Sequence, residues 1–304
     1  MSQVKRVLAK GFIELTILVA ASFAAIAHPG SGIVVDLQGN LFFQDGLART
    51  IWKIDPQGQV TAHYDKLGGH WMALDGQDKF ARAKSSLVEW LAPSLVVADG
   101  GAPITINTDG NLYYGLGLSS TGQVSVGMMR IFPDGRQEPF ALGFAKRIEN
   151  LGITGLTSGP DATLYVACLT DVWKVKTDGT FSALATSIVL KDCDADAPTS
   201  FLRGLGVDSR ATVYAAATGC RAIVKITASG QVETVLKAER PWSPTGVAVS
   251  KDEVYVLEYT NANGAAVEGW LPRVRKLGRD GKVRTLATIS KEQQNTQPNK
   301  LILK

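Results

Sequence analysis

Six side chains are of the types that hold or activate a polar ligand: Asp45, His70, Thr154, Arg203, Thr245 and Glu258. A guanidinium suits an anionic or carbonyl group, because its planar fork offers several donors at once. A carboxylate serves as base or metal ligand, and an imidazole as a general base near neutral pH. These residues are scattered along the chain, so they form one site only if the fold gathers distant segments. Local catalytic signatures are missing. There is no G-x-S-x-G elbow and no phosphate-binding loop, and Gly115-Leu116-Gly117 lacks the third glycine of a dinucleotide fingerprint. The histidines are His28, His63 and His70, without an H-E-x-x-H or C-x-x-C pair, so a zinc site is not indicated.

The gathering device is a repeat. A basic residue, an aliphatic residue, three variable positions and a glycine recur as Lys53-Ile54 to Gly58, Arg130-Ile131 to Gly135, Lys174-Val175 to Gly179, Lys225-Ile226 to Gly230 and Lys276-Leu277 to Gly281. Around each phrase the chain alternates short apolar runs with Asp/Gly/Pro turns, as in Gly32-Ile33-Val34-Val35-Asp36, Leu41-Phe42-Phe43-Gln44-Asp45, Ile51-Trp52-Lys53-Ile54 and Gln59-Val60-Thr61-Ala62. Each unit therefore reads as four antiparallel strands. The wide gap between Lys53 and Arg130 hides an eroded copy. Trp71 to Asp75 is its first strand, Phe80-Ala81-Arg82 begins the second, and Val88 to Leu91 stands for the third. First strands opening at Gly32, Trp71, Pro103, Gly155, Gly204 and Gly246 recur about every 43 residues, the period of a propeller blade. The expected fold is an all-β, six-bladed β-propeller over residues 28–290.

Alignment of the six copies sets Ser31, His70, Ala102, Thr154, Arg203 and Thr245 just before the first strands, where inner strands meet one mouth of a central channel. Asp45 and Glu258 end second strands in the first and last blades, which neighbour each other in a closed ring. Charges are costly where water is scarce, so this convergence marks the mouth as a candidate pocket. A purely structural account stands beside it. Asp45 is then a turn aspartate, and Arg203 pairs with Glu258 across the channel. The tryptophans read mainly as core, with Trp52 and Trp173 at equivalent third-strand positions. His70-Trp71 departs from the small residues of the other copies. The loop from Asn261 to Trp270 and the acidic 185–200 loop are candidate recognition segments.

Residues 1–27 differ from the rest: Lys5, Arg6 and Lys10 precede an apolar run ending in Ala25-Ile26-Ala27, the pattern of a secretory signal peptide, with Glu14 as a blemish. Its removal lowers the formal charge from +4 to about +2, which gives no reason to expect nucleic-acid binding. No other stretch is apolar for long enough to span a membrane. A secreted or periplasmic monomer is expected, with residues 291–304 as a tail that adds a strand through Leu301-Ile302-Leu303 or hangs free. Of Cys168, Cys193 and Cys220, the pair Cys193–Cys220 fits a bridge between a polar loop and the Thr218-Gly219-Cys220 turn. Cys168–Cys193 is the alternative.

The pattern of apolar strand, Asp/Gly turn, Leu-Tyr-Val-type strand, Lys-Ile strand and Gly turn, from Gly32 to about Ala287, resembles the NHL-repeat group of six-bladed propellers. It is similar also to gluconolactonase and strictosidine-synthase-like propellers. The Asn-His-Leu triplet itself is absent, with Asn40-Leu41 and Asn111-Leu112 in the corresponding turn. The resemblance implies the architecture and leaves function open, since such rings serve as scaffolds, receptors, lactonases and lyases. Gluconolactonase-type hydrolases hold a divalent metal with carboxylates and an asparagine at the mouth. By that resemblance Glu258 and Asn150, preceded by Glu149, would bind calcium or another divalent ion, with His70 as base. The residues themselves indicate no cofactor. The leading expectation is a protein or small polar ligand bound at the channel mouth, and the alternative is a metal-assisted lactonase or other hydrolase, or a lyase.

Overall fold

The computed structural model describes residues 29–65, 69–75, 89–91, 95–98, 102–116, 127–148, 152–191, 193, 201–262 and 269–295. The signal-peptide region, Phe80–Arg82, Glu149, Asn150 and Leu301–Leu303 lie outside them.

The first sheet is β1 (Ile33–Val35), β2 (Leu41–Asp45), β3 (Thr50–Ile54) and β4 (Val60–Tyr64), in that order. The second contains β5 (Trp71–Leu74), β6 (Glu89–Leu91) and β7 (Leu95–Ala98). The third runs β8 (Ile104–Ile106), β9 (Leu112–Leu116), β10 (Gly127–Ile131) and β11 (Gln137–Phe140), and is followed by helix α1 (Leu142–Arg147). The fourth is β12 (Gly155–Ser158), β13 (Leu164–Cys168), β14 (Asp171–Val175) and β15 (Phe181–Ala185). The fifth is β16 (Leu202–Val207), β17 (Val213–Ala217), β18 (Ala222–Ile226) and β19 (Val232–Lys237), and the last is β20 (Trp242–Ser250), β21 (Glu253–Thr260), β22 (Pro272–Leu277) and β23 (Val283–Thr288). Helix α2 (Lys291–Asn295) ends the described chain. All pairings are antiparallel, and five sheets are complete four-stranded blades of a β-propeller.

The second sheet departs from expectation. β7 lies beside β5, with Trp71 opposite Ala98 and Leu74 opposite Leu95, in the place expected for Phe80–Arg82, which lies outside the described residues. β6 sits outside β7, so the order is β5-β7-β6. The place next to an inner strand is sealed on both faces, and Leu95, Val96, Val97 and Ala98 are all buried there. A run of aliphatic residues suits that place better than one containing Arg82.

Side chains of successive strand residues alternate faces, and every sheet uses both. Phe43 packs with Leu257 and Tyr259 of the last sheet, whereas Phe42 packs with Met72 and Val97 of the second. Four further apolar clusters fill the remaining seams between consecutive sheets. The core is therefore a circle of separate interfaces rather than one central mass.

The repeated phrase has a local cause. Gly58, Gly135, Gly179, Gly230 and Gly281 all have φ between +76° and +86°, which glycine adopts without a Cβ clash. The basic residue ties blades together: Arg130 Nη1 donates to Thr177 O at 3.4 Å, and Lys174 Nζ to Ala228 O at 3.3 Å, each in the turn of the next sheet. Every described sheet is formed by one continuous stretch of chain, so no strand is exchanged between first and last blades among the described residues. Instead Thr245 Oγ1 donates to Gly30 O at 2.9 Å, Tyr259 OH to Gln44 O, and Gln294 Nε2 to Asp45 Oδ2 at 2.8 Å and Trp270 O at 3.1 Å. The start of the 291–304 tail is thus a helix docked on the first blade.

Candidate functional site at the channel rim

The six inner strands β1, β5, β8, β12, β16 and β20 surround a cavity of about 290 Å³, to which they contribute Ile33, Trp71, Ile104, Leu156, Gly204 and Val247 among others. No charged side chain lines it. At the end where the inner strands begin they converge closely. A Cβ on Gly204 would lie 2.6 Å from the Gly246 Cα, and one on Gly246 would lie 2.4 Å from Ser31 O. Glycine is required at both positions because backbone occupies the space a side chain would need.

This convergence builds a rim from the residues just before the inner strands. Ser31 N donates to His70 O at 2.8 Å, His70 N to Ala98 O at 2.9 Å, and Thr154 N to Ala167 O at 2.8 Å. The Arg203 carbonyl abuts Gly155, so Arg203 and Thr154 are neighbours across a blade seam. Register slips between Leu202 and Leu205 and between Pro244 and Gly246, which places Arg203 and Thr245 in irregular segments. Bulges of this kind re-aim side chains at functional edges.

The expected residues differ in what holds them. Thr245 is buried and donates to Gly30 O, so its hydroxyl joins the last blade to the first. Asp45 is fully buried, accepts from Ala48 N at 3.1 Å and from Gln294, and burial raises its carboxyl above the usual range. Glu258, also fully buried, does not meet Arg203. Its Oε2 accepts from Arg273 Nε at 2.7 Å and its Oε1 from Arg275 Nε at 3.0 Å, while Arg273 also pairs with Glu239 and lies 4.2 Å over the Trp242 ring. The cause is register: Glu258 stands opposite Arg273 across β21 and β22, and Arg275 follows on the same face.

Among the described residues Arg203 has no such partner. Its side chain is half-buried, yet Nε and Nη1 are sealed from solvent and donate to no protein acceptor. Its Cζ lies 5.3 Å from the centre of the Phe201 ring, and burial lowers its pKa to about 10. Ser31 Oγ, Thr154 Oγ1 and both amide atoms of Gln44 are likewise buried without a protein partner. Gln44 lies against Gly30, Gly32 and Gly69, at the beginnings of the first two inner strands. Nothing in the sequence marked it, because a single glutamine in a strand forms no motif, and the equivalent positions hold Gly115, Ala167, Ala216 and Leu257.

Glu258 with its two guanidinium partners does not fit a metal ligand, since both carboxylate oxygens already face positive charge. Asn150 lies outside the described residues, and among the described residues no group of three or more His, Cys, Asp or Glu converges to hold an ion. The disulfide is Cys193–Cys220, leaving Cys168 as a buried thiol. It anchors residue 193 beside the turn of 3-10 helix Thr218–Cys220, whose Thr218 N donates to Phe201 O at 3.1 Å.

Comparison with known proteins agrees with the architecture. No protein family's sequence profile matches the chain, and no curated protein matches it. Among solved structures it is similar to a gluconolactonase from Xanthomonas campestris (TM-score 0.54, 15% identity, 76% of this chain and 83% of that one). It is similar also to virginiamycin B lyase from Staphylococcus aureus (0.52, 14%, 86% and 84%) and to the calcium-binding protein regucalcin from Agrobacterium tumefaciens (0.51, 14%, 76% and 83%). At such identities the likeness establishes the β-propeller fold.

Proposed function

We propose that this chain is an exported, six-bladed propeller of NHL type that binds a small polar ligand at the rim where its inner strands begin. One observation carries the reading: Ser31, Gln44, Thr154 and Arg203 present buried polar atoms without protein partners at that rim. Each such group costs about 1–3 kcal/mol, and folded proteins keep few of them. A ligand that supplies the missing hydrogen bonds offsets the cost. Export is supported by the Cys193–Cys220 bridge and the amino-terminal leader pattern, and no described helix is long and apolar enough to cross a membrane.

A thermal-unfolding screen against small sugars, lactones and organic acids tests the reading. A hit should raise Tm in the parent protein and lose most of that shift in a Ser31→Ala, Thr154→Val double variant. A hit that shifts both proteins equally would place binding elsewhere. The hydrolase or lyase alternative rests on His70 sharing the rim with Arg203. It requires turnover of a bound lactone or ester, lost in His70→Gln.

A further inference from the structure

We infer that the ligand of this rim is a small carboxylate monoanion bound at the Arg203 guanidinium; the inference rests on the rim-binding reading and names its ligand class. The argument is one of charge. The two carboxylates expected near the mouth are engaged elsewhere, Asp45 by Gln294 and the Ala48 amide, Glu258 by Arg273 and Arg275. Arg203 is left with a positive charge, sealed Nε and Nη1 donors and the Phe201 ring beside it. Burial lowers its pKa to about 10, so it stays a cation at neutral pH, and among the described residues no carboxylate pairs with it.

A buried charge is costly until it is paired and hydrogen-bonded. A neutral sugar or lactone could accept from the guanidinium but would leave the charge uncompensated. A phosphate dianion would leave a net negative charge in the same enclosed place. One carboxylate balances one guanidinium, and its second oxygen can accept from a hydroxyl such as Thr154 Oγ1 on the adjoining blade.

The test is titration of the intact protein with acetate, lactate and benzoate at constant ionic strength, beside glucose, δ-gluconolactone and inorganic phosphate, by calorimetry and thermal unfolding. Saturable carboxylate binding that weakens roughly 10- to 100-fold in Arg203→Gln is expected. Arg203→Lys, which keeps the charge without the fork, should fall between. Free of ligand, Arg203→Gln should unfold at a temperature no lower than the parent, because an uncompensated buried charge has been removed; a lower Tm would mean that Arg203 is a structural cation. Equal carboxylate binding in parent and Arg203→Gln, or phosphate binding tighter than any carboxylate, overturns the assignment. If only glucose or the lactone binds, with loss in the Ser31 and Thr154 variant, the anion inference fails and the rim reading survives. If no compound binds, both fail.

Discussion

At the scale of single residues, the contrast between Arg203 and Glu258 organises the account. Both were expected at the mouth, and each is a charge taken out of water. Glu258 is matched twice, by Arg273 and Arg275, and so reads as a structural ion cluster in the seam between the last two sheets. Glu258→Gln would leave two arginines facing a neutral amide. We expect a loss of about 3 kcal/mol in denaturant unfolding, since removal of one member strands the others; a change below about 1 kcal/mol would show that the half-exposed Glu239 suffices to hold both guanidinium groups. Cys168 gives a second check. Burial, with Asp171 nearby, pushes its thiol up to about 12. The thiolate is the reactive form, so native protein at pH 8 should show no thiol reactive to a disulfide reagent, and unfolded unreduced protein should show one. A reactive native thiol would contradict the placement of Cys168.

At the scale of strands and turns, the inner strands decide the geometry of the rim. Gly246→Ala would drive a methyl group into Ser31 O and Ile33, with little room to relax because backbone is the obstacle. A loss of about 1–3 kcal/mol is expected from such overpacking, read as a lower Tm. An unchanged Tm would mean that β1 and β20 do not approach as described. Much at this scale was legible beforehand. The five turn glycines recur because each turn needs a positive φ, and that demand leaves a fixed mark in the chain. Initial glycines of inner strands recur for the related reason of close approach. The eroded second sheet was harder, because reading successive strands in chain order assigned Phe80–Arg82 to the place that β7 occupies. The partners of Glu258 were also hidden. Arg273 and Arg275 showed the alternation of a strand, but only the pairing of β21 with β22 reveals that both face the same carboxylate. The Cys193–Cys220 bridge was readable, because a turn cysteine and a polar-loop cysteine are both free to move together.

At the scale of the whole molecule, the ring closes without strand exchange among the described residues, so side chains and an apolar seam join its ends. Gln294 is the part that can be removed most cleanly, as it touches the buried Asp45 carboxylate from a helix beyond the last blade. Gln294→Ala should cost about 1.5–3 kcal/mol, the range for a hydrogen bond to a charged group, and unfolding should begin at lower denaturant. No effect would mean that the β1–β20 seam closes the ring unaided. Closure matters to the proposed site because it brings Ser31, His70, Thr154 and Arg203, from four separate stretches of chain, to one rim. That gathering, with one arginine left uncompensated, is the central claim. It is tested most directly by nuclear magnetic resonance of the arginine Nε–H groups, with the Arg203 signal assigned by its loss in Arg203→Lys. The account predicts that acetate moves this signal saturably while those of Arg273 and Arg275 stay in place; an Arg203 signal that does not respond to any carboxylate would contradict it.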